Sequence, residues 1–174
     1  MKDKGFTLVE LLVVMAILGV LVTLVASGFR TAQVRGRDGK RKSDLKEIAN
    51  SLEIFYSDHG QYPDANGSRI QACQYDQAMG SGDCTWGASE FTDGTTTYFK
   101  ILPEDPVSSQ DYVYRVQLIA DNANNQKYQL FARLENPEDF NCLGGDCENS
   151  PVAHSCGTYT CNFAVTSSNT TPTE

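Results

Sequence analysis

Residues 6–29 are an almost unbroken apolar run in which Glu10 is the single ionisable side chain, and between Leu11 and Leu24 only Thr23 is polar. As a helix rising about 1.5 Å per residue, the run reaches roughly 36 Å, enough to cross a bilayer. A cleaved secretory signal is the rival reading, with Lys2 and Lys4 as its basic start and Ala26-Ser27-Gly28 as its small-residue cut. The run is too long for that, since such a segment has an apolar stretch of about 7 to 15 residues. A soluble core helix would show a polar stripe, and none is present.

From residue 30 to 60 the pattern becomes that of a water-facing helix. Leu45, Ile48, Ala49, Leu52, Phe55 and Tyr56 recur at three- and four-residue spacing, while Asp38, Asp44, Glu47 and Glu53 mark the wet side. Gly60 followed by Pro63 predicts its stop. Glycines at 19, 28, 36 and 39 each weaken a helix by about 1 kcal/mol relative to Ala, and are read either as bends or as points of close helix packing. Beyond Pro63 the chain turns polar and irregular, with turn signals at Asn66-Gly67-Ser68 and Gly80-Ser81-Gly82-Asp83. Thr96–Leu102 reads as a short strand ended by Pro103 and Pro106. Tyr112, Tyr114, Val116 and Leu118 then alternate with their neighbours, as do Tyr128, Leu130, Ala132 and Leu134. That period of two, broken by turn chemistry at Asp121–Asn125, predicts an antiparallel hairpin whose Tyr/Leu/Val face covers Leu45, Leu52 and Phe55. Tyr159, Cys161, Phe163 and Val165 suggest a further strand, and the Ser/Thr/Asn-rich 166–174 a flexible tail. The fold class is α+β: a long N-terminal helix packed on a small antiparallel sheet, stabilised by disulfides.

Composition sharpens this picture. The 174 residues divide unevenly in charge, with nine Lys/Arg against five Asp/Glu in residues 1–50 and five against seventeen in 51–174. The length excludes a multidomain enzyme, and the acidic distal part disfavours nucleic acid as its partner. Six cysteines, none before Cys73, fit a disulfide framework made outside the cytosol. Fifteen pairings are possible; proximity suggests Cys73 with Cys84, Cys142 with Cys147, and Cys156 with Cys161, with exchange among the last four as the alternative. A four-cysteine zinc site at 142, 147, 156 and 161 is disfavoured by its spacing. His59 and His154 accompany no nucleophile motif and are read as surface residues, so neither catalysis nor a cofactor is expected.

A carboxylate facing hydrocarbon needs a counter-charge or a proton, and Glu10 has no basic side chain within the span. An amine made by cutting between Gly5 and Phe6 would supply one, and in an array of parallel helices Glu10 of one subunit would meet the Phe6 amine of another. The run Lys4-Gly5-Phe6-Thr7-Leu8-Val9-Glu10-Leu11-Leu12-Val13-Val14 closely resembles the processing and assembly segment of type IV pilins and pseudopilins. The segment from Asp44 to Pro63, and Leu102-Pro103-Glu104-Asp105-Pro106 with the strands after it, resemble the same family.

That resemblance implies cleavage of a 1–5 leader by a prepilin peptidase, N-methylation of Phe6, and assembly through Phe6 and Glu10 into a helical homopolymer on a pilus or secretion platform. The order is then leader 1–5, polymerisation helix 6–29, amphipathic helix 30–60, sheet head 61–165 with loop insertions, and tail 166–174. The function implied is a pilus subunit for adhesion, motility or DNA uptake, with the major pseudopilin of a type II secretion system as the alternative. The precursor is expected in the cytoplasmic membrane, leader inside and head outside, before the subunit joins an extracellular filament. Counting positive charges on either side would reverse that orientation; the cysteines and the resemblance support it. The basic cluster from Arg30 to Lys46 admits lipid headgroups, intersubunit salt bridges or DNA, the last disfavoured because no aromatic residue interleaves with it. Some pseudopilins bind calcium in a distal loop, and Asp139, Asn141, Asp146 and Glu148 are oxygen donors of that kind; a solvated acidic loop is the preferred reading, and no metal is assigned.

Overall fold

The computed structural model describes residues 5–73, 82–119 and 122–173. Helix α1 runs over Leu8–His59, and the chain divides into two compact units between Gly36 and Arg37. In the first unit α1 is exposed throughout its described apolar positions, from Leu8 at 78% to Phe29 at 61%, and it is long and apolar enough to cross a membrane. The bends expected at glycines 19, 28, 36 and 39 do not interrupt it; helical hydrogen bonding continues through all four. Glycine's cost of about 1 kcal/mol at each position does not outweigh a helix that continues over 52 residues.

In the second unit, the head, α1 buries the face that the spacing predicts: Leu45, Ile48, Leu52 and Phe55 are at most 1% exposed. Each such side chain contributes about 1.5–3 kcal/mol by leaving water. The helix stops at Gly60, whose φ of +72° is readily adopted by glycine and whose N–H donates to the Tyr56 carbonyl at 2.8 Å.

Two small hairpins follow, β1 (Asp64–Asn66) with β2 (Arg69–Gln71), and β3 (Phe91–Thr92) with β4 (Thr97–Phe99). The main sheet has three antiparallel strands in the order β5 (Val113–Ile119), β6 (Asn122–Ala132) and β9 (Phe163–Thr166), with β7 (Ser155–Cys156) and β8 (Tyr159–Thr160) as a separate hairpin. The extra strand expected from 159 to 165 is therefore split, because Tyr159 pairs back on Cys156 and only Phe163 onward joins β6. Asn122–Asn125, expected as turn, belong to β6, whose pairing with β5 accommodates them through register shifts near Leu118; Asp121 lies outside the described residues. Alternation sorts the sheet as expected: Tyr114, Tyr128, Leu130 and Ala132 join the α1 core, while Val113 and Phe131 face a second cluster with Val152, Cys156 and Cys161. The disulfides are the three proximate pairs, so the cysteines hold no zinc.

The expected flexible tail is instead docked. Thr166 lies in β9, Ser167 is buried, and the Thr171 carbonyl accepts the Gln129 amide at 2.6 Å. Its polar composition serves hydrogen bonds to the edge of β6 that apolar counting does not see.

Gly157 sits at a close approach of two backbone segments. Its φ is +71°, and a Cβ there would stand 2.2 Å from the Ser109 carbonyl oxygen. Gly157→Ala is expected to lower stability by at least about 1–3 kcal/mol, read as a fall in the thermal midpoint. An unchanged midpoint would refute this close packing.

Candidate functional site

The chain enters α1 through a non-helical stretch, residues 5–7. A side chain on Gly5 would meet nothing within 4 Å, and Phe6 is 85% exposed. Thr7 caps the helix. Its N–H and its hydroxyl both donate to Oε2 of Glu10, at 2.9 and 2.6 Å, and the Glu10 N–H returns a 3.3 Å bond to the Thr7 hydroxyl. This is a reciprocal capping box, which satisfies otherwise orphan donors of the first turn. Here the Phe6 nitrogen is a peptide nitrogen, and Glu10 takes its donors from Thr7. Thr7 was not singled out from the sequence, although the Thr-Leu-Val-Glu spacing carries the signal.

In the head, Arg37, Lys40, Arg41 and Lys42 of the basic cluster are answered from within the chain, a reading beyond the lipid, intersubunit and DNA alternatives. Arg41 is fully buried. Its Nε and Nη2 donate to the two oxygens of Asp105 at 2.7 and 2.8 Å, and its Nη1 to Asp38 at 2.8 Å and Glu135 at 2.7 Å. Asp38 also accepts the backbone N–H groups of Glu135 and Asn136. Arg37 donates to Glu135, Lys42 pairs with Asp139 at 2.6 Å, and Lys40 pairs with Asp44, which also accepts the Tyr112 hydroxyl. A fork-shaped guanidinium thus ties α1 to the Leu-Pro-Glu-Asp-Pro segment on one side and to the exit of β6 on the other. Arg30, Arg35 and Lys46 are exposed.

The hydrogen bonds from Arg37 and Arg41 hold the Glu135 carboxyl down at about 2, against an ordinary 4.5. Because the folded value is depressed, the stability it confers is present above about pH 4.5 and is lost as pH falls towards 2. The head is therefore expected to lose on the order of 1–3 kcal/mol over that window, and Glu135→Gln to flatten the loss. An acid titration of unfolding that runs parallel in both forms would refute it.

The remaining candidates are structural. Asp139 is engaged by Lys42 and by Asn141, and Asp146 by the backbone of Glu148 and the side chain of Asn149, so the acidic loop folds on itself. Against the surface reading, His59 is largely covered: its ring lies tilted against Phe55 with centroids 4.2 Å apart, and Nε2 lies 3.0 Å from Asp93 and 3.2 Å from the Tyr98 hydroxyl. His154 packs on Phe131, and burial lowers its tendency to hold a proton.

An exposed apolar helix opened by Gly-Phe-Thr-x-x-Glu, on a disulfide-bonded antiparallel head, defines a class of membrane-anchored, assembling subunits. Residues 1–26 match the family model described as the prokaryotic N-terminal methylation motif. Type II secretion system core protein G of Klebsiella pneumoniae is 31% identical over 111 residues, 64% of this chain and 73% of that protein. Type IV major pilin protein PilA of Myxococcus xanthus is 33% identical over 63 residues, 36% of this chain and 29% of the pilin. Core protein G of Escherichia coli is 35% identical over 65 residues, 37% of this chain and 45% of that protein. The chain thus covers less than half the length of the last two relatives. No solved structure matches. The chain belongs to the type IV pilin and pseudopilin family.

Proposed function

We propose that this protein is a filament subunit that works by assembly, not catalysis. Prepilin peptidase cuts between Gly5 and Phe6, the Phe6 amine is methylated, and the helix from Phe6 to Phe29 holds the precursor in the membrane until it joins a helical homopolymer. The observation that carries the reading is the position of Glu10: one acid at the mouth of a largely apolar helix exposed at its described apolar positions up to Phe29, satisfied in the uncleaved chain by a local cap. Both capping bonds use Oε2, and in the polymer Oε1 takes the Phe6 amine of a neighbour. Pairing removes the cost of a carboxylate in hydrocarbon, so the helix gains more from company than from lipid.

The product is a surface pilus. Three disulfides and an elaborated head suit exposure outside the cell. A second reading, the major pseudopilin of a secretion system, is favoured by the core protein G of Klebsiella pneumoniae, whose similarity extends over 111 residues while that of the pilin covers 63. Electron microscopy of sheared surface fibres, with mass spectrometry of their subunit, tests both. Abundant fibres whose subunit begins at methylated Phe6 support the pilus; a mature chain confined to the envelope and needed for secretion supports the pseudopilin. A natural product retaining Met1 would overturn both.

A further inference from the structure

Arg41 points into the head, and at about 100° per residue its neighbours Lys40 and Lys42 lie on opposite flanks of α1, only about 3 Å apart along its axis. On the Lys42 flank stands Phe140, which at 89% is the most exposed large apolar side chain among the described residues. It does not dangle. Lys42 reaches to 5.9 Å of its ring centroid while bonding Asp139, and the Cys142–Cys147 disulfide closes the loop just beyond it. On the Lys40 flank is a hollow of about 440 Å³ lined by Lys40, Ile101, Pro103, Glu104 and Pro106, with Ile101 55% exposed. Pockets of roughly 300–1,000 Å³ accept whole drug-sized molecules, so one aromatic ring fits.

The rims complement each other. Exposed Glu138 and the Lys42 ammonium flank the knob, while Lys40 and exposed Glu104 flank the hollow. A knob and a hole on opposite flanks at nearly one level meet head-to-tail between copies, and a contact of that type builds an open helical array wherever its rotation does not close into a ring. We propose that Phe140 of one subunit seats in the Ile101, Pro103 and Pro106 hollow of the next, with Glu138 facing Lys40 and Lys42 facing Glu104. This is a head-level contact separate from the stem helices, and it rests on the filament reading above. A pre-formed loop makes the knob effective, since little freedom is lost on docking.

The test uses the full chain in cells that assemble it, with photoreactive benzoylphenylalanine at position 140. Irradiation of fibres is expected to give a ladder of covalent dimers and higher multimers, with mass spectrometry joining residue 140 to the 101–106 segment of another copy. Ile101→Asp is expected to reduce the ladder at least tenfold. Phe140→Asp is expected to reduce fibre yield at least tenfold with no change in the thermal midpoint of the purified chain. Abundant fibres giving no ladder, or cross-links falling outside 101–106, would overturn the contact and leave the filament reading standing. Absence of fibres from the unmodified chain would overturn both.

Discussion

Glu10→Ala is expected to leave export and cleavage intact while reducing assembled fibre by on the order of a hundredfold or more. Opposite charges about 4 Å apart attract by roughly 4 kcal/mol at an effective dielectric near 20, and about 1.4 kcal/mol corresponds to a tenfold change in an equilibrium constant. Alanine removes two things at once, the counter-charge and the cap on Thr7. Glu10→Gln separates them, because glutamine serves as well at the third helical position of a capping box and carries no charge. The Gln variant is expected to be as defective as Ala in immunoblots of the sheared-fibre fraction, with both variants recovered from the membrane as mature chains. Normal fibre from Glu10→Gln would show that capping, not charge, is what the acid contributes.

Arg41→Met is expected to destabilise the head by about 3–5 kcal/mol, the range for removing one partner from a buried ion cluster. Asp105, with no side-chain exposure, and Asp38, at 2%, would be left with no guanidinium between them. Arg41→Lys is expected to recover little, since one ammonium cannot reproduce a fork that meets both Asp105 oxygens and also Asp38 and Glu135. Arg37→Met, a change at a position whose side chain is 31% exposed, is expected to cost under about 1 kcal/mol. Thermal unfolding of the purified full chain in detergent distinguishes these. Equal losses from Arg37→Met and Arg41→Met would contradict the central place given to the buried guanidinium.

What the sequence made legible follows from what is local. The apolar run, the helical face from Leu45 to Phe55 and the alternation through Tyr114 and Tyr128 are each set by neighbours within a few positions, and the structure keeps all three. The short disulfide loops were legible for the same reason. Arg41 was not: within the sequence it is one of seven basic residues, and its burial depends on Asp105 and Glu135, which lie 64 and 94 positions away. The tail misled through composition, because Ser167 and Thr171 meet β6 by hydrogen bonding. The capping box joins Thr7 and Glu10, three positions apart, and is legible in the Thr-x-x-Glu spacing alone.

Assembly through charge pairing depends on where the Glu10 carboxylate goes once subunits associate, and a fibre map at side-chain resolution measures that. The predicted result is a carboxylate oxygen of Glu10 within salt-bridge distance of the Phe6 amine of an adjacent subunit. A fibre in which Glu10 contacts only its own Thr7, with the neighbouring amine beyond reach, would contradict it.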